Sequence, residues 1–318
     1  MKIKVNLPFQ PLITLQRLMV MVSVISLFGC QTTLTDHHQA TAAPCWYSTP
    51  ASANLNGFIG SASATSTVSR NSIVYSRRHA LTKYAQFYDL ALSTEHLQQV
   101  STDNALVIQL NSQHTVAFSR PYTPDNVLYS YAFNPLVTNP QDVEQSCQVN
   151  TCHFERCSPS WLCNTGNAAI VGISYYTATS AKQLAIAERN ARQLTGMLEQ
   201  AEVTATEKLT SRTRNEVNSS HLSSQQRLSA APYQGKMKMT HQCHINGNLL
   251  GRFALPNWNK VHSKPFTQWL IQPMISGENA VVGSFEGYTA DNLLSTAVRH
   301  AIKDALVEIA KINHVHVD

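Results

Sequence analysis

The strongest constraint on the fold of this 318-residue chain is a sequence skeleton that recurs three times. Each copy has a tryptophan, then an apolar run that contains a glycine, then a helical pattern that includes arginine and alanine. The shared positions are Trp46, Gly60 and Arg78 in the first copy, Trp161, Gly172 and Arg189 in the second, and Trp269, Gly283 and Arg299 in the third. The arginines are 111 and 110 residues apart. Such a period is too long for a solenoid unit and is typical of small domains in tandem.

Each copy predicts a strand followed by a helix. The runs GFIGSASA and AAIVGISYYTA mix alternating and continuous apolar character, as does a strand that is covered on at least one face. Apolar residues recur at helical spacing between Leu294 and Ile309, which predicts an amphipathic helix. We expect the tryptophans to be packing anchors and the arginines to be solvated or to pair with strands. The predicted fold class is α+β, with tandem small domains that each pack a helix on an antiparallel β-sheet and are stapled by disulfides.

Six cysteines support that last expectation. They are Cys45, Cys147, Cys152, Cys157, Cys163 and Cys243. An even set in an exported protein predicts up to three disulfides, although the spacing does not select among the many possible pairings. The cluster from Cys147 to Cys163 matches no common zinc or iron–sulfur signature, and the chain has no Cys-x-x-Cys pair. Metal binding and redox-active thiols remain alternatives to structural disulfides.

Two further stretches concern the C-terminal part of the predicted units. Asn246-Gly247 between apolar runs predicts a type I′ hairpin. Because Cys147 lies nine residues before Arg156 and Cys243 lies nine before Arg252, we expect the same hairpin to close the first two units. The third copy lacks this hairpin. The polar stretch 204–231 is either an extension of the second helix or a strand.

The N-terminus has the character of an export signal. Basic residues precede the run LMVMVSVISLF, which ends in Leu27-Phe28-Gly29-Cys30 and resembles a bacterial lipobox. The resemblance implies cleavage before Cys30, acylation of that cysteine and outer-membrane sorting, with anchoring by several acyl chains. The predicted division is a signal peptide at 1–29, a flexible tether at 30–44, repeats at 45–159 and 160–257, and a partial third repeat, a strand plus a helix, at 258–318.

The sequence points away from several function classes. The formal net charge is +5, and three of the basic residues belong to the signal, so we expect no nucleic-acid partner. Phosphate-binding loops, nucleophile elbows, zinc-protease motifs and calcium-binding loops are absent from the sequence, and its carboxylates are scattered. We therefore predict no catalytic residues, no bound metal and no cofactor.

The first copy carries a family resemblance. The segment Cys45-Trp46-Tyr47-Ser48-Thr49-Pro50, the strand GFIGSASA and the helix RRHALTKYA, behind a lipobox, resemble the LPP-twenty lipoprotein family. Its members are small Gram-negative envelope lipoproteins, some of them linked to flagellar outer-membrane structures. The resemblance implies a non-enzymatic scaffold of the envelope that contacts the membrane through its lipid, and other envelope proteins or copies of itself. The alternative is a periplasmic small-ligand or metal-binding module that uses the Cys/His-rich region 147–163.

Overall fold

The computed structural model describes residues 42–64, 69–149, 151–163, 168–175, 180–214, 217–256, 258, 281–291 and 293–313. The strands are β1 (Ala43–Pro44), β2 (Gly57–Ser63), β3 (Val107–Gln109), β4 (Thr115–Phe118), β5 (Val127–Phe133), β6 (Ser146–Cys147), β7 (Ala169–Ile173), β8 (Glu202–Arg214), β9 (Val217–Ser229), β10 (Lys238–Ile245) and β11 (Asn248–Ala254). The helices are α1 (Cys45–Ser48), α2 (Ser69–Phe87), α3 (Thr94–Gln99), α4 (Pro140–Val143), α5 (Gln183–Gln200) and α6 (Leu294–Asn313). The predicted signal peptide, Cys30, nearly all of the tether and Trp269 lie outside the described residues.

The first copy forms a four-stranded antiparallel sheet with the order β2-β5-β4-β3. Helix α2 packs on one face of β2 and β5, where Phe58, Leu81 and Tyr84 belong to one core cluster. Trp46 and Tyr131 belong to a second cluster that includes the other side of the same strands. Because both sides are covered, all seven residues of β5 are buried, which explains its continuous apolar run.

The second copy forms a three-stranded antiparallel sheet with the order β10-β11-β7, and α5 packs against it. Asn246 and Gly247 adopt positive φ angles of 48° and 74° between β10 and β11. These are the angles that a type I′ turn requires, so the predicted hairpin is confirmed.

The polar stretch that followed the second helix in the sequence is a strand pair. Strands β8 and β9 are paired antiparallel over 13 positions, from Glu202↔Ser229 to Arg214↔Val217. We call this pair the β8–β9 arm. At its base Leu228 packs against the core of the second copy. Among the described residues, β8 and β9 pair only with each other, so both outer edges of the arm are open.

Two predictions about the ends of the units are wrong. The described residues around 147–156 do not form the predicted hairpin, because β6 pairs with β1, Thr151 pairs with His244, and a separate turn closes His153 onto Ser158 across the 3₁₀ turn Phe154–Arg156. The residues at this place are Asn150-Thr151, which lack the glycine that the type I′ turn of the second copy uses. The C-terminal run at 281–286 is not a strand, although the helix predicted after it is present as α6.

The coarse fold class is confirmed. The structure is mixed, with helices and several antiparallel sheets, and the six cysteines form the disulfides Cys45–Cys147, Cys152–Cys243 and Cys157–Cys163. The two sheet-and-helix units share a core, since Leu184 and Met239 of the second copy pack with the cluster of the first. The division into tandem domains stays a prediction.

Candidate functional site

In all three copies the repeated glycine lies at contact distance from the backbone of the helix that follows it, and Gly60 and Gly172 lie within strands. A Cβ added to Gly60 would clash with the Ser76 carbonyl oxygen, and one on Gly172 with the carbonyl oxygen of Ala187. In the third copy the clash from Gly283 would be with the carbonyl oxygen of Ala301. Only a residue without a side chain fits at each place.

A side-chain hydrogen bond accompanies each glycine contact. His79 Nδ1 donates to the carbonyl of Ser61 over 2.8 Å, and Asn190 Nδ2 donates to the carbonyl of Ile173 over 2.6 Å. In the third copy the direction reverses, and Ser284 N–H donates to Asp304 Oδ2 over 3.1 Å. In every copy the backbone partner belongs to the residue that follows the repeat glycine, and the side-chain partner on the helix directly precedes an alanine.

This pattern places the third copy one helical turn later than the sequence alignment does. The helix residue that precedes the polar partner is Arg78 in the first copy and Arg189 in the second, but Lys303 in the third. Arg299 lies four residues earlier. Since residues four apart share a helix face, both registers match the apolar pattern, and only the contacts distinguish them.

The motif tryptophans and arginines have structural surroundings. Trp46 is 1% exposed and stacks on Tyr131 with ring centroids 5.5 Å apart, and Trp161 is buried beside the Cys152–Cys243 disulfide. Arg78 Nε donates to the Leu97 carbonyl over 2.9 Å, which ties α2 to α3. Arg189 is exposed, whereas Arg299 donates to Thr296 Oγ1 within α6.

The disulfides fix the segment between the two units to both of them. Cys147 is bonded to Cys45 of the first copy, and Cys152 is bonded to Cys243 in β10 of the second. Backbone bonds reinforce the attachment, since Cys45 N–H donates to Gln145 O and Cys152 N–H donates to His244 O. The short stretch 147–152 therefore clamps the two sheets side by side.

Next to this clamp lies a cavity of about 690 Å³ between the two copies, which we call the tyrosine cavity. Its described lining is Ala42, Tyr47, Tyr122, Thr123, Pro124, Asp125, Val127, Tyr129, Val149, Ser180, Gln183, His244 and Gly247. The Tyr47 ring lies edge-on to Tyr122 and Tyr129, at centroid distances of 4.9 and 5.1 Å, and stacks on His244 at 5.9 Å. Tyr47 Oη and His244 Nε2 are hydrogen-bonded over 2.9 Å.

Burial sets the protonation states of this cavity. It raises the pKa of Tyr47 and of Tyr129 far above the usual range, and neighbouring tyrosines and Asp125 raise that of Tyr47 further. Burial also lowers the pKa of His244, against the opposing effect of Asp125. The tyrosines and the histidine are therefore neutral at pH 7, so the phenol donates to the imidazole nitrogen.

A second cavity, of about 430 Å³, lies between α2 and α5 and contains an ion-pair network. Glu188 bonds Lys83 over 3.0 Å and Arg192 over 3.2 Å, which links the two units. Burial alone would raise the pKa of Glu188, but the two cations outweigh it and lower the pKa. Each carboxylate charge of this network is compensated within the chain.

Lys238 is a buried cation at the contact between the two units. It is 8% exposed, its Nζ lies 4.6 Å from the ring centroid of Phe58 and 5.5 Å from that of Phe87, and it donates to Asn56 Oδ1. Burial lowers its pKa to about 8. The ammonium thus reaches from β10 of the second copy onto the aromatic core of the first, at a cost in desolvation.

We expect Lys238→Met to raise the free energy of unfolding at pH 7 by about 1 to 3 kcal/mol, because a buried charge is replaced by an apolar side chain of similar length. Between pH 8 and the unfolded pKa near 10.5, the unfolded chain holds the proton that the folded chain has released. The parent should therefore gain stability as pH rises through this window, and the Met variant should not.

Denaturant titrations at pH 7 and 9.5 measure both effects. The matched control is Lys236→Met, since Lys236 is a partly exposed ion-pair partner of Asp89 and should contribute less than about 1 kcal/mol. A loss of stability in Lys238→Met at pH 7 would mean that the contacts of the ammonium with Phe58, Phe87 and Asn56 exceed its desolvation cost.

The region 147–163 offers no free cysteine thiolate to a metal ion. All four cysteines of the region 147–163 are in disulfides, and the described residues contain no group of three or more histidine, cysteine, aspartate or glutamate side chains that could hold a metal ion. The small-ligand alternative keeps a cavity to which this region contributes Val149. None of the helices in the described stretches has the length and apolar character needed to cross a membrane.

Comparison with known proteins gives no relative. No protein-family model, no curated protein and no solved structure matches this chain. The resemblance to the LPP-twenty family therefore stays a prediction that depends on the quoted motifs.

Sequence reasoning missed the tyrosine cavity. Of the tyrosines and the histidine in this cavity, only Tyr47 belongs to a motif recognised in the sequence, the segment that begins at Cys45. The available signal was compositional: three tyrosines, Tyr122, Tyr129 and Tyr131, occur within ten residues of the first copy. Their convergence with His244, which is 197 residues from Tyr47, depends on the docking of the two sheets.

Proposed function

We propose that this chain is a non-enzymatic, lipid-anchored component of the outer membrane that acts as a scaffold in an envelope assembly, as a series of tandem units. Acylation at Cys30 would attach it to the membrane, and the tether at 30–44 would separate the lipid from the folded part. A flagellar or other surface structure is the setting that the family resemblance favours.

The observation that carries this proposal is the β8–β9 arm. Thirteen residues per strand extend over about 40 Å, and a two-stranded ribbon is marginally stable alone in water. Open strand edges recruit further strands. Both edges of the arm are open in the described part of the chain, so a second copy could pair with each edge. Head-to-tail pairing of this kind generates rings or filaments.

The position of the arm supports the same role. Its base is held by Leu228 in the core of the second copy, which also contains residues of α5 and α6. The arm is therefore packed against the folded core at one end. We commit to a second copy of this chain as the partner that covers its edges.

Shortening the arm tests the proposal. Replacing residues 208–223 by Asn-Gly keeps the pair Glu207↔Ser224 and the anchoring base, and it removes most of both edges. We expect the oxidised parent to form oligomers in light scattering coupled to size exclusion, and the shortened variant to be monomeric. Its free energy of unfolding should change by less than about 1 kcal/mol because the core residues are kept.

The matched control is the double variant Ser219→Thr/Ser223→Thr, which keeps the arm and its polar character and should assemble like the parent. Oligomers of unchanged size after shortening would rule out the arm as the contact between copies. A parent that is monomeric at all concentrations tested, with or without its lipid, would count against self-assembly altogether.

A further inference from the structure

The tyrosine cavity has one charged group in its described lining. That group is the carboxylate of Asp125, since the aromatic and polar side chains around it are neutral and His244 is kept uncharged by burial. A cavity with a single negative charge favours a cationic ligand over an anionic one.

Aromatic rings provide the second half of such a site. Tyr47, Tyr122 and Tyr129 are packed edge to face, with Tyr47 and Tyr129 buried and Tyr122 partly exposed to the cavity. Ring faces attract ammonium groups through their quadrupole, and the attraction grows as water is excluded. The Tyr47 hydroxyl is occupied by His244, so the inner end of the cluster is already hydrogen-bonded.

A tight turn places Asp125 in the lining of the cavity. Val127 N–H donates to Pro124 O over 2.9 Å, and Tyr122 and Tyr129 exchange two backbone hydrogen bonds of 3.0 and 2.8 Å. Within the turn Asp125 has a φ of 48°, in the left-handed region. Its charge acts on the rings, since it raises the pKa of Tyr122 beyond the effect of burial. The backbone of Asp125 is thus part of a hydrogen-bonded turn.

The opposite wall belongs to the second copy and is also tied by a hydrogen bond and a disulfide. Gln183 is 6% exposed and donates to the Gly247 carbonyl at the type I′ turn, and His244 follows the disulfide-bonded Cys243. A site preformed on two stapled units loses little conformational entropy when it binds. A volume of about 690 Å³ lies within the range of small-molecule sites.

We propose that the tyrosine cavity binds a small organic ammonium compound, with Asp125 as the counter-charge and the tyrosine cluster as the aromatic wall. The ammonium head group lies between the carboxylate at the rim and the ring of Tyr122. The remainder of the ligand extends toward Gln183 and Gly247, where backbone carbonyls and the side-chain amide accept or donate hydrogen bonds. This binding is independent of the assembly role of the arm.

The test uses the full oxidised protein and two probes of equal shape. Choline carries the cationic head group, and 3,3-dimethylbutan-1-ol is its uncharged carbon isostere. Titration calorimetry, supported by tyrosine chemical shifts, should show choline binding at least about tenfold tighter than the isostere. Asp125→Asn should remove this preference by weakening choline about tenfold while leaving the isostere unchanged.

Asp125→Asn is well suited to this test, because asparagine is isosteric and tolerates the left-handed conformation. Tyr122→Leu should weaken choline about tenfold, whereas Tyr122→Phe, which keeps the ring, should not. Glu155→Gln, at an exposed residue outside the cavity, is the matched charge control. Equal affinity for choline and its isostere, undiminished choline binding in Asp125→Asn, or no saturable choline binding up to about 50 mM would overturn the proposal.

Discussion

Gly60→Ala is expected to cost about 3 kcal/mol or more of unfolding free energy, a large fraction of the stability of a typical domain. The new methyl group would meet the carbonyl oxygen of Ser76 and the amide nitrogen of Ala80, both of them backbone atoms of α2. Rotamer changes cannot relieve such a clash, so α2 must move away from β2. That movement breaks the 2.8 Å bond between His79 and Ser61 as well.

Urea denaturation of the oxidised protein measures this cost, with Gly287→Ala as the comparison. Gly287 has a φ of 118° but no atom within 4 Å of an added Cβ, so only backbone strain of about 1 to 2 kcal/mol should appear. We expect Gly172→Ala to resemble Gly60→Ala, since its methyl would meet the Ala187 carbonyl oxygen. If Gly60→Ala cost no more than Gly287→Ala, the close approach of strand and helix would not be a constraint.

Removal of the Cys45–Cys147 disulfide has the second large expected effect. In Cys45→Ala/Cys147→Ala the unfolded chain regains the freedom of a loop that spans 102 residues, which predicts a loss of about 4 to 5 kcal/mol. The same bond holds α1 against the segment that leads to the second copy. We expect the double variant to lose cooperativity as well as stability.

The third disulfide provides the control for this measurement. Cys157–Cys163 closes a loop with a sequence separation of 6, so its removal should cost only about 2 kcal/mol. Thermal and urea unfolding of both double variants under oxidising conditions compare the two costs. Equal losses would show that strain or local packing, and not loop closure, dominates.

Local sequence rules predicted the elements with a local cause. Apolar residues at helical spacing predicted the C-terminal helix, and Asn246-Gly247 predicted the hairpin, because two adjacent positive φ angles need those residue types. The same rules failed where two registers of a helix matched the apolar spacing equally well. Arg299 and Lys303 lie on one helix face a turn apart, so no periodicity could select between them.

The disulfide pairing, the β8–β9 arm and the tyrosine cavity depend on contacts between residues far apart in the sequence. Cys147 pairs with Cys45 and Cys152 pairs with Cys243 because of how the two sheets pack together. The spacing of the cysteines in the sequence does not predict this pairing. The sequence of the β8–β9 arm is polar, and its few apolar residues alternate only weakly with polar ones. This pattern did not distinguish a helix from a strand. The tyrosine cavity combines a turn of one unit with a strand of the other, so neither half predicts it alone.

The reversed hydrogen bond of the third copy has a consequence for how such units diverge. Histidine and asparagine serve as donors to a carbonyl, and Asp304 serves as an acceptor from an amide, yet the three side chains occupy one geometric position. Units of this kind can therefore exchange residue types at this contact, provided that the segment facing the helix offers the complementary backbone group. In repeats of this kind, the positions of a glycine, a polar side chain and an alanine would be retained. The residues between these positions would change first, so sequence similarity there would be lost early.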